Sequence, residues 1–390
     1  NDADWYSTQN VYAQAGADGS GFGEIDFPLG GLNAFTLSNI MGNNKLKPEM
    51  TTEWEFGLNM AFFRNRLSFD FAYYNRSTNN QTLAMNLDAG TGFTRRYVNI
   101  GEITNKGVEL LVQGTPIKTR DWQWDLNMNW TLNRSKVVSL PKDLGTEIGI
   151  FGFSGGTSLY AVKGKPLGVY KDQRLERDPE GHVVVAANTG LPVKSDKYEY
   201  CGDMNHKYTL GWGTTLRWKD ISLTANMEAR VGGKMYTRTK GVTFFTGVAK
   251  QTVYNDRKPF IVPNSVNKVT ADDGSVSYVE NTTALDYNYI KSYWADQYDC
   301  DASNLVSRGF VKLRDVAVTW NLPKKWIDKT FLTGASVSFF GRNLLMWTPS
   351  DNTFVDPENT SVSGDLAAMF GEYGANPSTR SYGFNIKISF

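Results

Sequence analysis

The sequence predicts an all-β fold: an antiparallel transmembrane β-barrel of the outer-membrane type, contributing about 9–11 strands and carrying long loops on one side. Three observations predict it. Apolar and polar residues alternate strictly over many stretches, which is the period of a strand. The connections between these stretches run alternately short and long. Aromatic residues make up 13% of the 390 residues, and Trp and Tyr gather near the strand ends, where amphipathic rings would sit at membrane interfaces.

The elements follow in chain order. Residues 1–50 read as a loop region. In the first strand, 51–62, Trp54, Phe56, Leu58, Met60 and Phe62 alternate with Glu55 and Asn59. The second, 67–77, sets Leu67, Phe69, Phe71 and Tyr73 against Ser68 and Asp70. A looser strand covers 95–117. Over 121–138, Trp122, Trp124, Leu126, Met128, Trp130 and Leu132 oppose Gln123, Asp125, Asn127, Asn129 and Thr131. Strands at 207–218 and 221–235 follow, the latter placing Ile221, Leu223, Ala225, Met227 and Ala229 against Ser222, Thr224, Asn226, Glu228 and Arg230. Residues 309–321 and 334–346 are strand-like in composition, but their alternation is impure. The last strand, 379–390, carries Tyr382, Phe384, Ile386, Ile388 and Phe390 on one face.

Short turns lie at 63–66, 118–121 and 219–220, with a medium one at 322–333. Long connections cover about 78–94, 139–206, 236–308 and 347–378. Short periplasmic turns and long extracellular loops have this order in outer-membrane barrels. Loops beyond about 12–15 residues are uncommon in compact soluble domains. The segment 139–206 begins and ends on one side, so it holds either no barrel strand or two. An odd or incomplete set of strands cannot close, nine to eleven is at odds with the even counts of single-chain bacterial barrels, and an open edge in lipid costs several kcal/mol per unpaired group. The remaining strands are therefore expected upstream or on another chain.

Composition excludes other classes. No stretch approaches the roughly 18 apolar residues of a spanning helix. Lys and Arg number 41 against 40 Asp and Glu, which gives no reason to expect nucleic acid as a partner. Two cysteines, Cys201 and Cys300, cannot build a cysteine zinc site, and a bond between them stays open. The two histidines, His182 and His206, lack metal-binding spacing, and His182 follows a turn-like Asp178-Pro179-Glu180-Gly181. Neither an enzyme nor a cofactor is expected. The polar faces fit a wet lumen or bulk water, so a passive porin and a soluble carbohydrate-binding sandwich remain as alternatives.

Several motifs together resemble the SusC-like subfamily of TonB-dependent outer-membrane transporters. They are Leu46-Lys47-Pro48-Glu49 with Thr52-Glu53-Trp54-Glu55, Asn105-Lys106-Gly107-Val108-Glu109, Gly168-Val169-Tyr170, Gly309-Phe310-Val311-Lys312-Leu313-Arg314, Gly341-Arg342-Asn343-Leu344, Asp356-Pro357-Glu358, and Pro377-Ser378-Thr379-Arg380-Ser381-Tyr382-Gly383. The resemblance implies the C-terminal portion, residues 51–390, of a 22-stranded barrel in the outer membrane of a Gram-negative bacterium. It implies import of oligosaccharide, or less readily oligopeptide. Its implied partners are a SusD-like lipoprotein lid, the rest of the barrel with its plug, and the TonB complex. The plug, signal peptide and TonB box that the family carries have no counterpart in these residues.

Two groups of residues are candidate sites. Tyr287, Tyr289, Tyr293 and Trp294 interleave with Asp286 and Asn288, and Phe354 and Tyr373 sit among similar polar residues. Flat rings beside amides and carboxylates suit a sugar, while loop packing or a surface for the lid explains the same composition. Tyr382, Phe384, Ile386, Ile388 and Phe390 form an amphipathic terminal strand that resembles the signal read by the barrel-assembly machinery, and such a strand can pair by strand addition.

Overall fold

Strict alternation along each strand produces one two-faced sheet. The computed structural model describes residues 6–14, 28, 30–152, 156–299, 301–360 and 370–390. Its main sheet has nine strands: β1 (Met50–Phe62), β2 (Leu67–Asn79), β3 (Glu102–Lys118), β4 (Trp122–Ser139), β5 (Tyr208–Trp218), β6 (Ile221–Val231), β7 (Phe310–Asn321), β8 (Gly334–Trp347) and β9 (Ser381–Ser389). Every strand pairs antiparallel with its neighbour in the chain, so spatial order is sequence order.

The registers place like with like. Phe56 faces Tyr73, Tyr73 faces Val108, and Val108 faces Leu132. Further along, Trp212 pairs Met227 and Phe339 pairs Phe384. The result is a continuous apolar face and a continuous polar face. The apolar face is uncovered, with Trp54 78% and Phe384 67% exposed. Thr214 is a polar residue on it, and the Trp124 indole donates to its hydroxyl at 2.8 Å. The sheet does not close. β1 and β9 each have a neighbour on one side only, as expected of a segment of a larger barrel.

The impure alternation of β7 and β8 has a structural cause. Their register shifts between Leu313 and Asp315, leaving Arg314 opposite no residue while Asn343 and Leu344 are skipped on β8. This paired bulge turns Arg314 and Asp315 both to the polar face, and Asn343 takes a φ of 51°, a conformation Asn tolerates better than most residues.

Trp122 and Trp218 rings meet at 5.9 Å at the short-turn end, as do Trp320 and Trp326 at 5.7 Å. Trp54, Trp347 and Tyr382 lie near the opposite end of the apolar face. Trp212 is mid-strand, and Tyr74 turns to the polar face, where its ring covers Gly107 so closely that a Cβ there would collide with it.

Strand boundaries depart from expectation where glycines intervene. Residues 95–99 belong to a separate sheet with Thr82–Asn86 and Ile40–Met41, because the chain turns at Gly101 with φ 81°. β6 stops at Val231, since Gly232 and Gly233 both take positive φ. Residues Lys234–Thr237 then pair with Leu305–Ser307 and, in parallel, with Gly371–Glu372. Segment 139–206 adds no strand to the main sheet. Its strands Glu147–Gly152, Ser158–Val162, Leu167–Leu175 and Lys194–Asp203 form a four-stranded sheet of their own.

The long-loop end holds the buried core. One cluster joins Leu83, Val98, Ile100, Ile103, Val137, Ile148, Ile150, Ala161 and Leu167. β3 and β4 reach it because they are 17 and 18 residues long, well beyond the 9–11 or so needed to cross a bilayer. A second cluster gathers Leu159, Tyr170, Met204, Tyr236, Leu305 and Phe370.

Candidate functional site: the polar face and its mouth

Lys312 and Arg314 stand on the polar face near the long-loop end of β7. Both meet residues of the loop between β8 and β9. Lys312 Nζ lies 2.6 and 2.7 Å from the two Asp356 oxygens and 2.6 Å from Glu358 Oε2. The Lys312 and Asp356 side chains are only 6% and 4% exposed. Arg314 donates to both Glu358 and Glu228 at 2.6 Å. Arg230 reaches Glu228 at 2.8 Å and Glu358 at 3.0 Å. The Phe310 ring lies under all three cations, at 4.9 Å from Lys312, 5.3 Å from Arg230 and 5.5 Å from Arg314. Two motifs far apart in the chain are thus bound to each other.

Burial alone would raise the Glu358 carboxyl, but Arg314 and Lys312 outweigh it and hold it down at about 2. Asp356 is also held below the usual carboxylate range: burial opposes the shift, and Lys312 and Ser378 outweigh it. His206, beside the start of β5, is driven to about 4 by burial and by Arg308, so its imidazole stays neutral near pH 7.

A second anchor holds the same loop. Phe370 is fully buried, with Tyr236 stacked on it at 5.3 Å and Tyr170 at 5.6 Å. The Tyr170 hydroxyl donates to its carbonyl at 2.5 Å. The buried Glu372 carboxylate accepts from the Thr237 and Thr239 hydroxyls at 2.9 and 2.6 Å and from the Ala375 N–H at 2.9 Å. Between the anchors lies a cavity of about 730 Å³. Phe354, Met346, Asn343, Asn352, Asn359 and Arg380 line it, and Lys240 sits 5.9 Å from the Phe354 ring.

The structure separates the aromatic candidates. Phe354 lines the cavity. Tyr373 packs on Tyr236 at 5.8 Å. Residues Tyr287–Asp299 form α1, started by Asp286, whose carboxylate accepts from the Asn288 and Tyr289 N–H groups at 2.8 and 3.2 Å. Its helical spacing turns Tyr289, Tyr293 and Trp294 against a core of Val185, Phe260, Val262, Leu285 and Ile290, while Tyr287 is 70% exposed. Tyr382, Phe384, Ile386, Ile388 and Phe390 share the uncovered face at the sheet edge.

The Asp178 turn closes as its sequence implies, with its Oδ2 2.7 Å from His182 Nδ1 and Gly181 at φ 94°. Asp178, Glu180 and His182 are the one metal-compatible group among the described residues. Cys201 is a free thiol accepting from Arg174 Nε at 3.4 Å, and Cys300 lies outside the described residues.

Alternation places Glu228 and Arg230 on the lumen side, but it did not single out Arg314, which binds Glu228, or Lys312, which binds the loop carboxylates. The available signal was the charged-apolar-charged spacing of Lys312, Leu313 and Arg314.

The family model described as TonB dependent receptor-like, beta-barrel matches residues 4–344. The chain belongs to this family. Members are outer-membrane β-barrels of Gram-negative bacteria. It is 24% identical to TonB-dependent receptor P3 of Formosa agariphila over 92% of its own length and 36% of the relative. It is 32% identical to TonB-dependent receptor SusC of Bacteroides thetaiotaomicron over 35% of its length and 12% of that protein. The RagAB peptide transporter superposes with a TM-score of 0.66 at 22% identity, covering 99% of this chain and 39% of the other. The chain thus spans little more than a third of the relatives it matches most fully, and the shared fold is that of a barrel segment.

Proposed function

We propose that this chain forms wall and mouth of an active importer of nutrient oligomers across the outer membrane. The apolar face meets lipid and the polar face lines the lumen. The long-loop end, with residues 1–50 and the loops 139–206, 236–308 and 347–378, is extracellular. Energy enters through the TonB complex, acting on a plug outside residues 1–390. A SusD-like surface lipoprotein covers the mouth as a lid.

The observation that carries this reading is the loop between β8 and β9. It is bound to the luminal face by buried charges and encloses a polar cavity beside Phe354. An oligosaccharide suits that cavity, since a flat ring stands among three asparagines. Membership of the family supports energised transport over a passive pore. The structural likeness to a peptide transporter keeps oligopeptide as a second reading.

Purification of the tagged full-length transporter from outer membranes tests the proposal. A co-purifying lipoprotein and a bound oligosaccharide, identified by mass spectrometry, are expected. A bound peptide would select the second reading. An isolated barrel that conducts ions freely in a planar bilayer would overturn both.

A further inference from the structure

We infer that the short-turn end of the sheet binds anionic phospholipid of the periplasmic leaflet, with an acyl chain seated in a groove beside β3. The inference rests on the orientation proposed above. Two independent features meet there.

The first is charge. The four connections at this end, 63–66, 118–121, 219–220 and 322–333, carry eight basic side chains: Arg64, Arg66, Lys118, Arg120, Lys219, Lys324, Lys325 and Lys329. Only Asp121, Asp220 and Asp328 oppose them. The whole chain has a net charge of +1, so the excess is concentrated at this rim. All eight are exposed, and none belongs to an ion pair among the described residues. Arg66 is oriented by donating to the Thr115 and Pro116 carbonyls at 3.1 and 2.7 Å. Lys219 Nζ sits 5.5 Å from the Trp218 ring, as a cation does when its stem lies along an interfacial aromatic. Basic side chains beside a bilayer attract acidic headgroups, each by about 1 kcal/mol near the surface, roughly fivefold in affinity.

The second feature is shape. Gly114 stands on the apolar face opposite Leu67 and Leu126. The register of β3 and β4 shifts between Gly114 and Ile117. The missing side chain and the bulge leave a groove of about 720 Å³. Val112, Leu126, Met128, Trp212 and Thr214 line it, and Phe63 and Arg66 stand at its turn end. A groove that opens on lipid and ends under a basic rim fits a phospholipid with a negative headgroup. The acidic rims of a periplasmic protein would satisfy the charge but leave the groove unfilled.

The test uses the full-length transporter in nanodiscs holding equal phosphatidylglycerol and phosphatidylethanolamine, with retained lipid read by native mass spectrometry. The parent should retain phosphatidylglycerol at least about fivefold over phosphatidylethanolamine. Arg64→Gln with Lys118→Gln and Arg120→Gln should lower that preference severalfold. Gly114→Leu should reduce retained lipid of both kinds while leaving the preference of what remains. A Cβ at 114 meets only ordinary contacts, the nearest being Leu67 Cδ1 at 3.7 Å. Heat-modifiable mobility in SDS gels verifies the barrel in each case. Equal retention of the two lipids by the parent, or full retention by both variants, would overturn the inference. If the transport reading fails while the preference persists, the lipid site stands alone.

Discussion

Replacing Lys312 with Met should release the loop between β8 and β9 without unfolding the barrel sheet. The substitution keeps the stem and removes the ammonium. Asp356, 4% exposed, then loses both contacts of 2.6 and 2.7 Å, and Glu358 loses one of 2.6 Å. Removing one partner of a buried ion pair costs about 3–5 kcal/mol, mostly through the charge left behind. Arg314 and Arg230 still hold Glu358, so the lower end, about 3 kcal/mol, applies. That is a factor of roughly 100 in the local opening equilibrium. Hydrogen exchange with mass spectrometry reads it directly. Peptides covering 352–359 should exchange about 100-fold faster, while β5 and β6 remain unchanged. Adding Asp356→Asn should recover part of the protection, because the second substitution removes the orphaned charge. Unchanged exchange in 352–359 would refute the reasoning that these charges hold the loop.

Four further outcomes are expected. Glu358 is held below its ordinary value of 4.5, at about 2. Its contribution is therefore complete above about pH 4.5 and disappears as pH falls through 2, so pepsin should begin cutting 348–360 only within that window, with exchange rates there, corrected for pH, flat from pH 5 to 8. Gly107→Ala should destabilise the barrel by about 1–3 kcal/mol, because the new methyl displaces the Tyr74 ring, read as a lower midpoint of heat-modifiability in SDS gels. Trp124→Phe removes the donor to Thr214 on the apolar face and should cost about 1 kcal/mol in the same assay. Phe384→Ser with Phe390→Ser should lower the amount of barrel inserted in the outer membrane, and normal insertion would contradict an assembly role for the last strand.

The barrel strands were legible because a period of two survives whatever a strand packs against. Trp54 to Phe62 and Trp122 to Leu132 needed no partner to be read. β7 and β8 blurred because the bulge at Arg314 shifts the period by one midway. The small sheets of the long-loop end were not legible. Residues 183–185 and 265–267 pair in parallel across some eighty positions, and no local pattern records that. α1 shows why aromatic composition misleads: Tyr289, Tyr293 and Trp294 are spaced to pack one helix face, and their rings serve the loop core. The ion network was half legible. Alternation pointed Glu228 and Arg230 inward, but the binding of Arg230 to Glu358 depends on how a long loop folds back.

Which face of the sheet meets lipid decides whether these strands form a barrel wall. Single cysteines at 221 to 228 of β6 in the Cys201→Ser, Cys300→Ser full-length transporter, labelled with a fluorophore and reconstituted, decide it by quenching. Brominated lipid should quench labels at Ile221, Leu223, Ala225 and Met227, and aqueous iodide those at Ser222, Thr224, Asn226 and Glu228. Quenching of both sets by iodide alone would contradict a lipid-facing barrel wall.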